Sequence, residues 1–566
     1  MEHLTVPHTP FFLKGPALLP DIDINIVTFN SSKWIETFVA SLLQTTYPKN
    51  KLHLHFIDNS SNDNTVTLLQ RLTTVITSNG ITVDITVSPN QGFGAGQNIA
   101  ATKGHCELML ISNVDLEFEP HTILRLVGKA LTSPPDIAVW ECRQKPYEHP
   151  KFYDPVTQYT SWNSHACVLM RRSAFNEAGG YDSNIFLYGE DVDLSYRLRN
   201  LGYNLQYCPD AVVWHHSYTS ENHSKPQQDL WGKANHLYLR AKFGTLPQLL
   251  MIIPLAAAWL VRSPRYKYGR MNALRGIMIA LKILPSALKS RKLTKRKRIF
   301  DFTNFDYGIR RYGAYYEYHK AGSDSPLVSV ITRTQGNRPQ QLAQAMLSVI
   351  NQSYKNIEHI IIEDGGNRSQ ETVNRLKKLG NTNIRFYPIE KLGRSAAGNI
   401  GIENARGRYL LFLDDDDLLF AEHIEVLVSS VLRNPQVAGA YSLAWEVPTR
   451  MISSSSYHEF CYILRRKYMQ DFNRDIFLKY NYWPIQSVLF HKGLSLDYGG
   501  FDTTLDSLED WDLWIRYTRD NEFIYVPKTT SLYRVPADRQ TAVARTLALY
   551  RAKKIFMNKL EAKLHY

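Results

Sequence analysis

Four consecutive acids, Asp414–Asp417, follow the apolar run Tyr409-Leu-Leu-Phe-Leu413, and a weaker copy of these surroundings lies about 300 residues upstream. Gly393-Arg-Ser-Ala-Ala-Gly-Asn399 precedes the acids, as Gly92-Phe-Gly-Ala-Gly-Gln-Asn98 precedes Leu108-Met-Leu-Ile-Ser-Asn-Val-Asp115. Asn399 to Asp416 is 17 residues, and so is Asn98 to Asp115. Other landmarks recur in the same order. The strand-like runs Ile22–Thr28 and Pro326–Thr332 are each followed by a second run ending in acid, at Asp58 and at Asp364. Gly179-Gly-Tyr-Asp182 precedes Gly189-Glu-Asp-Val-Asp-Leu194, and Gly499-Gly-Phe-Asp502 precedes Leu508-Glu-Asp-Trp-Asp-Leu513. A period this long describes duplicated domains, since solenoid repeats run roughly 20–50 residues. Strand patterns alternate with helical ones in both halves, so the expected class is α/β, two tandem domains with a mostly parallel sheet and helices on both faces. Such a sheet gathers ligands at the carboxyl ends of its strands. A carboxylate pair placed there suits a hard divalent cation that also holds phosphate oxygens.

A chain of 566 residues exceeds what one core supports, and two or three domains are expected. We divide it into an arm over residues 1–20, a domain over 21–240, a basic helical connector over 241–320, a second domain over 321–540 and a terminal helix over 541–566. The five cysteines, 106, 142, 167, 208 and 461, show no Cys-x-x-Cys spacing and read as free thiols of a reducing compartment. The amino terminus has no charged segment followed by an apolar one, which speaks against secretion and for the cytoplasm.

The net charge of +13 is local. Fifteen Lys or Arg and no acid lie between Arg240 and Phe300, and the other 51 basic residues face 53 acids. Within this segment the thirteen-residue run Leu249–Val261, interrupted by Pro254, is shorter than the roughly 20 residues that span a bilayer. Leu274, Ile277, Met278, Leu281, Ile283 and Leu284 recur at helical spacing among Arg275, Lys282 and Lys289, and Lys289–Arg298 closes the segment. A basic amphipathic helix beside a polybasic run predicts a peripheral position on an anionic membrane surface. The alternative is a linker helix whose apolar face packs on a catalytic domain. Nucleic acid is not expected, because no recognition motif accompanies the charge.

Both halves resemble family 2 glycosyltransferases of the GT-A fold, over about 430 residues. In the second half the resemblance rests on Glu363-Asp-Gly365, Gly393-Arg394 with Asn399, Leu413–Asp417 and Glu509-Asp510. In the first it rests on Val27–Asn30, Ile57–Ser61, Asn90–Gly94 with Asn98, and Tyr188–Asp193. The last set, with Val213-Trp-His-His216 and Ser220, is similar to the rhamnosyltransferase-like branch. The usual Gly-rich signature of nucleotidyltransferases, which share a related sheet, is absent after the first strand.

The resemblance implies transfer of sugars from nucleotide-diphospho-sugars to a growing cell-surface polysaccharide or lipid-linked glycan, at the cytoplasmic face of the membrane. It implies Asp191 and Asp510 as general bases, with Glu190 and Glu509 orienting acceptor or base. Without the resemblance, Glu-Asp-x-Asp reads as a solvated helix start. Nucleotide-sugar contacts fall on Thr28, Asn30, Asp58, Asn90, Gly92, Asn98 and Asn113, and on Thr332, Thr334, Asp364, Arg394, Asn399 and Asp415. Mg²⁺ or Mn²⁺ is implied on Asp414 and Asp416, which match the family's Asp-x-Asp. The first half has Asn113-Val-Asp115 there, so Asp115 is its one carboxylate, with His215 (or His216) completing the shell unless that histidine is structural. Arg534 contacts phosphate or plays a surface role. Trp162, Trp483 and Trp511 stack on acceptor sugars or pack the core. The single carboxylate keeps open a rival reading, in which only the second half is catalytic and the first binds glycan or scaffolds. The sequence does not speak to oligomeric state.

Overall fold

A computed structural model describes residues 19–217, 226–261, 269–294, 310–317, 325–379, 382–452, 457–505 and 507–564. Most of the amino-terminal arm, Ser220 and the polybasic residues 295–298 lie outside the described residues.

The first module folds around β1 (Ile22–Thr28), β2 (Leu52–Asp58), β3 (Thr82–Val87), β4 (Leu108–Ser112), β5 (Leu116–Phe118), β6 (Ile137–Lys145), β7 (Cys167–Arg171) and β8 (Asn204–His215). Their order in the sheet is β3-β2-β1-β4-β7-β6-β8-β5. β1, β2, β3 and β4 are parallel, while β7 and β5 run antiparallel to their neighbours. Alternation sets the two faces of β1: Ile22, Ile24 and Ile26 enter the core. Asp23, on the other face, is buried against His55 and Arg172.

The second module repeats this strand for strand. β9 (Val328–Thr334), β10 (Ile357–Asp364), β11 (Asn383–Ile389), β12 (Tyr409–Phe412), β13 (Leu418–Leu419), β14 (Gly439–Met451), β15 (Tyr457–Glu459), β16 (Val488–His491) and β17 (Phe523–Pro536) assemble in the order β11-β10-β9-β12-β16-β14-β17-β13. The short β15, paired with β14, is the one addition. The expected α/β class, two tandem and mostly parallel sheets with flanking helices, is the observed one. Helix Arg539–Leu564 follows β17, and its residues Thr541, Arg545 and Leu549 line the cleft of the second module.

Helix Pro226–Phe243 runs unbroken through the junction expected between residues 240 and 241. Helix Gly269–Thr294 packs along it. Small residues allow the close approach: Ala273 and Ala287 are fully buried, and a Cβ at Gly276 would come 3.1 Å from the Leu230 carbonyl. Leu249, Ile283, Leu284 and Ala287 reach a cluster with Trp162, Val192 and Tyr196 of the first module. One face of the connector therefore packs on the first module, and its opposite face is exposed.

The modules interlock through residues 146–165, between β6 and β7. Phe152 enters a ring cluster with Phe420, Trp445 and Tyr462. The Tyr153 hydroxyl donates to Glu422 at 2.8 Å and accepts from the Ala421 amide at 2.9 Å. Arg143 and Lys145 reach Glu425 at 2.6 and 2.7 Å, Lys528 reaches Glu148 at 3.0 Å, and Arg311 pairs with Glu422. Nearly all of these groups are buried, and each charge has an opposite partner, which is what a dry site demands of ions.

Candidate active sites

In both modules the Glu-Asp-x-Asp segment opens a helix, Glu190–Asn200 or Glu509–Tyr517. The preceding residue takes a left-handed backbone, Gly189 at φ 104° and Leu508 at φ 63°. Glycine accepts this freely, whereas a leucine there costs roughly 1–3 kcal/mol, a strain typical of functional turns. The turn places the acid pair in a cleft, which is about 480 Å³ in the first module and about 1100 Å³ in the second.

The second cleft gathers Thr334, Asp364, Arg394, Asp414, Asp415, Asp416, Glu509 and Asp510. Arg333 binds Asp414 at 2.8 Å and Glu509 at 3.1 Å, while Arg394 binds Asp414 at 3.2 Å and Glu509 at 2.9 Å. Burial would raise the Asp414 carboxyl, but these two guanidinium groups outweigh it and hold it below the usual range. Arg338 pairs with Asp416. Asp415 turns away to accept from Thr334 at 2.6 Å, and burial pushes it up to about 6. Asp364 is paired with Lys391 at 2.6 Å and accepts from the amides of Leu392 and Gly393. Asn481 donates to Asp510 at 3.0 Å.

Thr332, two residues deeper in β9 than Thr334, is fully buried against His359 at 2.8 Å and does not line the cleft. Between them Arg333, which the sequence reading passed over, supplies the cation. Its signal was present, an arginine at the carboxyl end of an otherwise apolar and hydroxylic strand.

The first cleft gathers Asn113, Asp115, Glu190, Asp191 and His215. His215 ends β8 opposite Leu116 of β5, which brings its Nε2 to 3.2 Å from Asp115. His216 instead meets Glu117 and stacks on Trp34. Gln144 donates from Nε2 to Ser164, so its Oε1 faces His215 Nδ1 at 2.8 Å. With Gln144 Oε1 accepting from Nδ1, Nε2 is left facing the Asp115 carboxylate, which also accepts from the Ser217 hydroxyl. A proton or a cation between the ring nitrogen and the carboxylate would satisfy both as acceptors. Oε2 of Glu190 is buried without a hydrogen-bond partner, and Glu190 rises to about 8 through burial and the neighbouring Asp191. Lys151, also unforeseen, lies 3% exposed in the wall of this cleft, paired with the buried Glu141.

The remaining first-module residues lie outside this cleft, at strand ends, in loops and, for Asn98, on helix Phe93–Lys103. Thr28 donates to Asp58 at 2.9 Å, and Ser61 binds Asp58 through amide and hydroxyl. Asn30 accepts from the Asn62 amide, and Asn90 from the Gly92 amide. Asn98 spends its carboxamide on both backbone groups of Tyr181, and Asn399 does the same with Phe501. These two are positioning groups that tie the helix after the third strand to the Gly-Gly turn. A Cβ at Gly180 or Gly500 would strike the asparagine oxygen at 2.6 or 2.2 Å.

Trp162 and Trp483 line the clefts from buried positions, whereas Trp511 is a core residue donating to the Phe477 carbonyl. Arg534 is held internally by Glu459 and the Asp416 carbonyl. Among the described residues no group of three or more His, Cys, Asp or Glu converges as a metal site.

Residues 23–193 and 329–483 match the family model of Glycosyl transferase family 2. The chain belongs to this family. It is 38% identical over 110 residues to an uncharacterized glycosyltransferase of Haemophilus influenzae, covering 19% of this chain and 44% of that protein. It is 29% identical over 231 residues to an N-acetylglucosaminyl-diphospho-decaprenol L-rhamnosyltransferase of Mycobacterium tuberculosis, covering 34% and 74%. The Haemophilus match thus spans less than half of that relative's length. A mannosyltransferase of Pyrobaculum calidifontis, solved with GDP-Man and Mn²⁺, overlaps 48% of this chain and 91% of its own at 16% identity and a TM-score of 0.33.

Burial pushes both Asp191 and Asp510 up to about 6, with Glu509 adding to the effect at Asp510. Were either carboxylate the general base of a transfer, which works only when deprotonated, kcat/KM of that transfer should fall about tenfold per pH unit below roughly pH 6. A pH profile that stays level down to pH 5 would remove these carboxylates from the base role.

Proposed function

We propose that the protein is a bifunctional inverting glycosyltransferase, peripheral at the cytoplasmic face of the membrane, that extends a cell-surface polysaccharide or lipid-linked glycan from nucleotide-diphospho-sugar donors. One observation carries the reading: each module presents a Glu–Asp pair at a helix start, the glutamate buried and the aspartate half-buried, facing acids from the ends of its strands. Asp191 or Asp510 takes the proton of the acceptor hydroxyl, whose oxygen bonds to the anomeric carbon. The bond from that carbon to the diphosphate breaks on the opposite face, and the configuration inverts. A module that only bound glycan would have no use for the carboxylate raised at Asp191. The name of the mycobacterial relative, with its diphospho-decaprenol acceptor, supports a lipid-linked glycan.

Asp414 and Asp416 offer hard oxygen donors suited to Mg²⁺ or Mn²⁺, and Asp115 with His215 offers a second pair of donors. A bound ion would neutralise the leaving diphosphate as a Lewis acid. Arg333, Arg338 and Arg394 already balance the acids of the second cleft and would hold the diphosphate beside them. Asp414→Ala or Asp416→Ala should abolish transfer by the second module and weaken metal-dependent nucleotide binding in calorimetry. Full activity in excess chelator would overturn this assignment. The reading as a whole is tested by incubating the protein with a panel of nucleotide sugars and acceptors and following which nucleoside diphosphates are released. Release of none would reject it.

The cations between Arg240 and Phe300, apart from Lys242, which is buried against Asp182 and Asp193, support attraction to anionic lipid, at about 1 kcal/mol per residue near the surface.

A further inference from the structure

The exposed face of the connector is apolar. On helix Gly269–Thr294, Met271, Leu274, Met278, Leu281 and Leu288 all stand in solvent, at intervals of three, four and seven residues. This stripe lies opposite the small-residue seam that meets helix Pro226–Phe243. Arg275, Lys282 and Lys289, each seven residues from the next, are exposed along its flank. The two preceding helices, Leu246–Leu250 and Ile252–Val261, add to the same region, with Ile253 77% and Val261 75% exposed. Soluble surfaces rarely leave so many large apolar side chains together unless a partner covers them.

Three occupants are possible, and the observations choose among them. A second copy would bring this acid-free, cationic segment against itself, and like charges would oppose pairing. A membrane crossing fits the length and hydropathy of Gly269–Arg291. It would, however, bury Arg275 and Lys282 in the hydrocarbon and strip the helix from the partner that its seam fits. An anionic bilayer surface satisfies both faces: apolar side chains enter the acyl boundary while the flanking cations meet lipid phosphates.

We infer that these three helices insert their common apolar face into the headgroup–acyl boundary of an anionic bilayer, so that hydrophobic insertion, not charge alone, holds the protein there. The inference deepens the membrane part of the proposed function and does not depend on the transfer chemistry. It also assigns a side. His236 lines the first-module cleft, and its ring lies 5.9 Å from Trp259 of helix Ile252–Val261. Helix Ile252–Val261, which carries Ile253 and Val261 of the inserted face, thus reaches the first cleft through its half-buried Trp259, which makes the first module the one served by membrane-held acceptors.

Flotation of the full chain with neutral phosphatidylcholine vesicles, and with vesicles containing phosphatidylglycerol, at low and high salt, tests this. The protein should prefer the anionic vesicles and keep a salt-resistant bound fraction. Leu274→Glu/Leu281→Glu should lower partitioning at least about tenfold at both salts. Arg275→Gln/Lys282→Gln/Lys289→Gln should lower mainly the low-salt component. Because flotation needs no donor sugar, an inactive module would leave this outcome intact, and unchanged circular dichroism would show that the glutamate variant folds. Complete release of the wild type by salt, or wild-type binding by the glutamate variant, would overturn insertion. Equal binding to neutral vesicles would overturn the anionic preference. A lipid-free dimer broken by Leu281→Glu would assign the face to a second copy.

Discussion

Asp510→Asn should lower transfer by the second module about 10²–10⁴-fold, the usual contribution of a general base, and Asp191→Asn should do the same to the first. Asparagine keeps the volume and polarity of the side chain but cannot take the proton of an attacking hydroxyl. At Asp510 the hydrogen bond from Asn481 can still be accepted by the amide oxygen, so folding should change little. Each variant should leave the other module's product measurable on a suitable acceptor. Mass spectrometry of products from paired donors and acceptors separates the two additions. If Asp191→Asn leaves every product unaltered, the first module is a binding domain and the rival reading stands.

Arg311→Met should destabilise the whole chain by about 3–5 kcal/mol, the cost of stranding one charge of a buried pair. Arg311 is ion-paired with Glu422, which is 1% exposed, and lies over the rings of Tyr153 and Phe420 at 4.9 and 4.6 Å. Methionine would keep most of the apolar contact but leave the carboxylate with only the Tyr153 hydroxyl. Arg311→Met/Glu422→Gln should recover most of the loss, since an absent pair costs far less than a broken one. Urea unfolding of the wild type and both variants measures this, and a loss under 1 kcal/mol would mean that water reaches Glu422. First-module transfer should fall with stability. Residues 146–165 carry Lys151 and Trp162 of the first cleft and are braced by this same network.

The duplication was legible because each repeated station has a local cause. Ile22, Ile24 and Ile26 alternate with Asp23 and Asn25 because successive side chains of a strand point to opposite faces of the sheet. The acids at 58, 115, 364 and 414–416 lie at strand ends because the sheet presents its carboxyl edge to ligand. The identical strand orders of the two sheets follow from two copies of one pattern.

Contacts between stations were not legible. Spacing could not reveal that Asn98 and Asn399 answer the Gly-Gly turns, since the partners stand 83 and 102 residues apart. The closeness of His215 to Asp115 was implied by the family resemblance and not by spacing. Nor did spacing show that Thr332 packs against His359 while Arg333 faces the cleft, because a side chain's orientation at a strand end depends on what covers it.

The sequence by itself determined the class, the duplication and the acids that face each cleft, because alternation, helical spacing and turn residues are local constraints. The tertiary structure alone decided which cations balance those acids, that residues 146–165 are braced by the second module, and which connector face is buried. Those outcomes are set by packing between segments far apart in the chain, where a buried charge must find an opposite partner and an apolar face must find a cover.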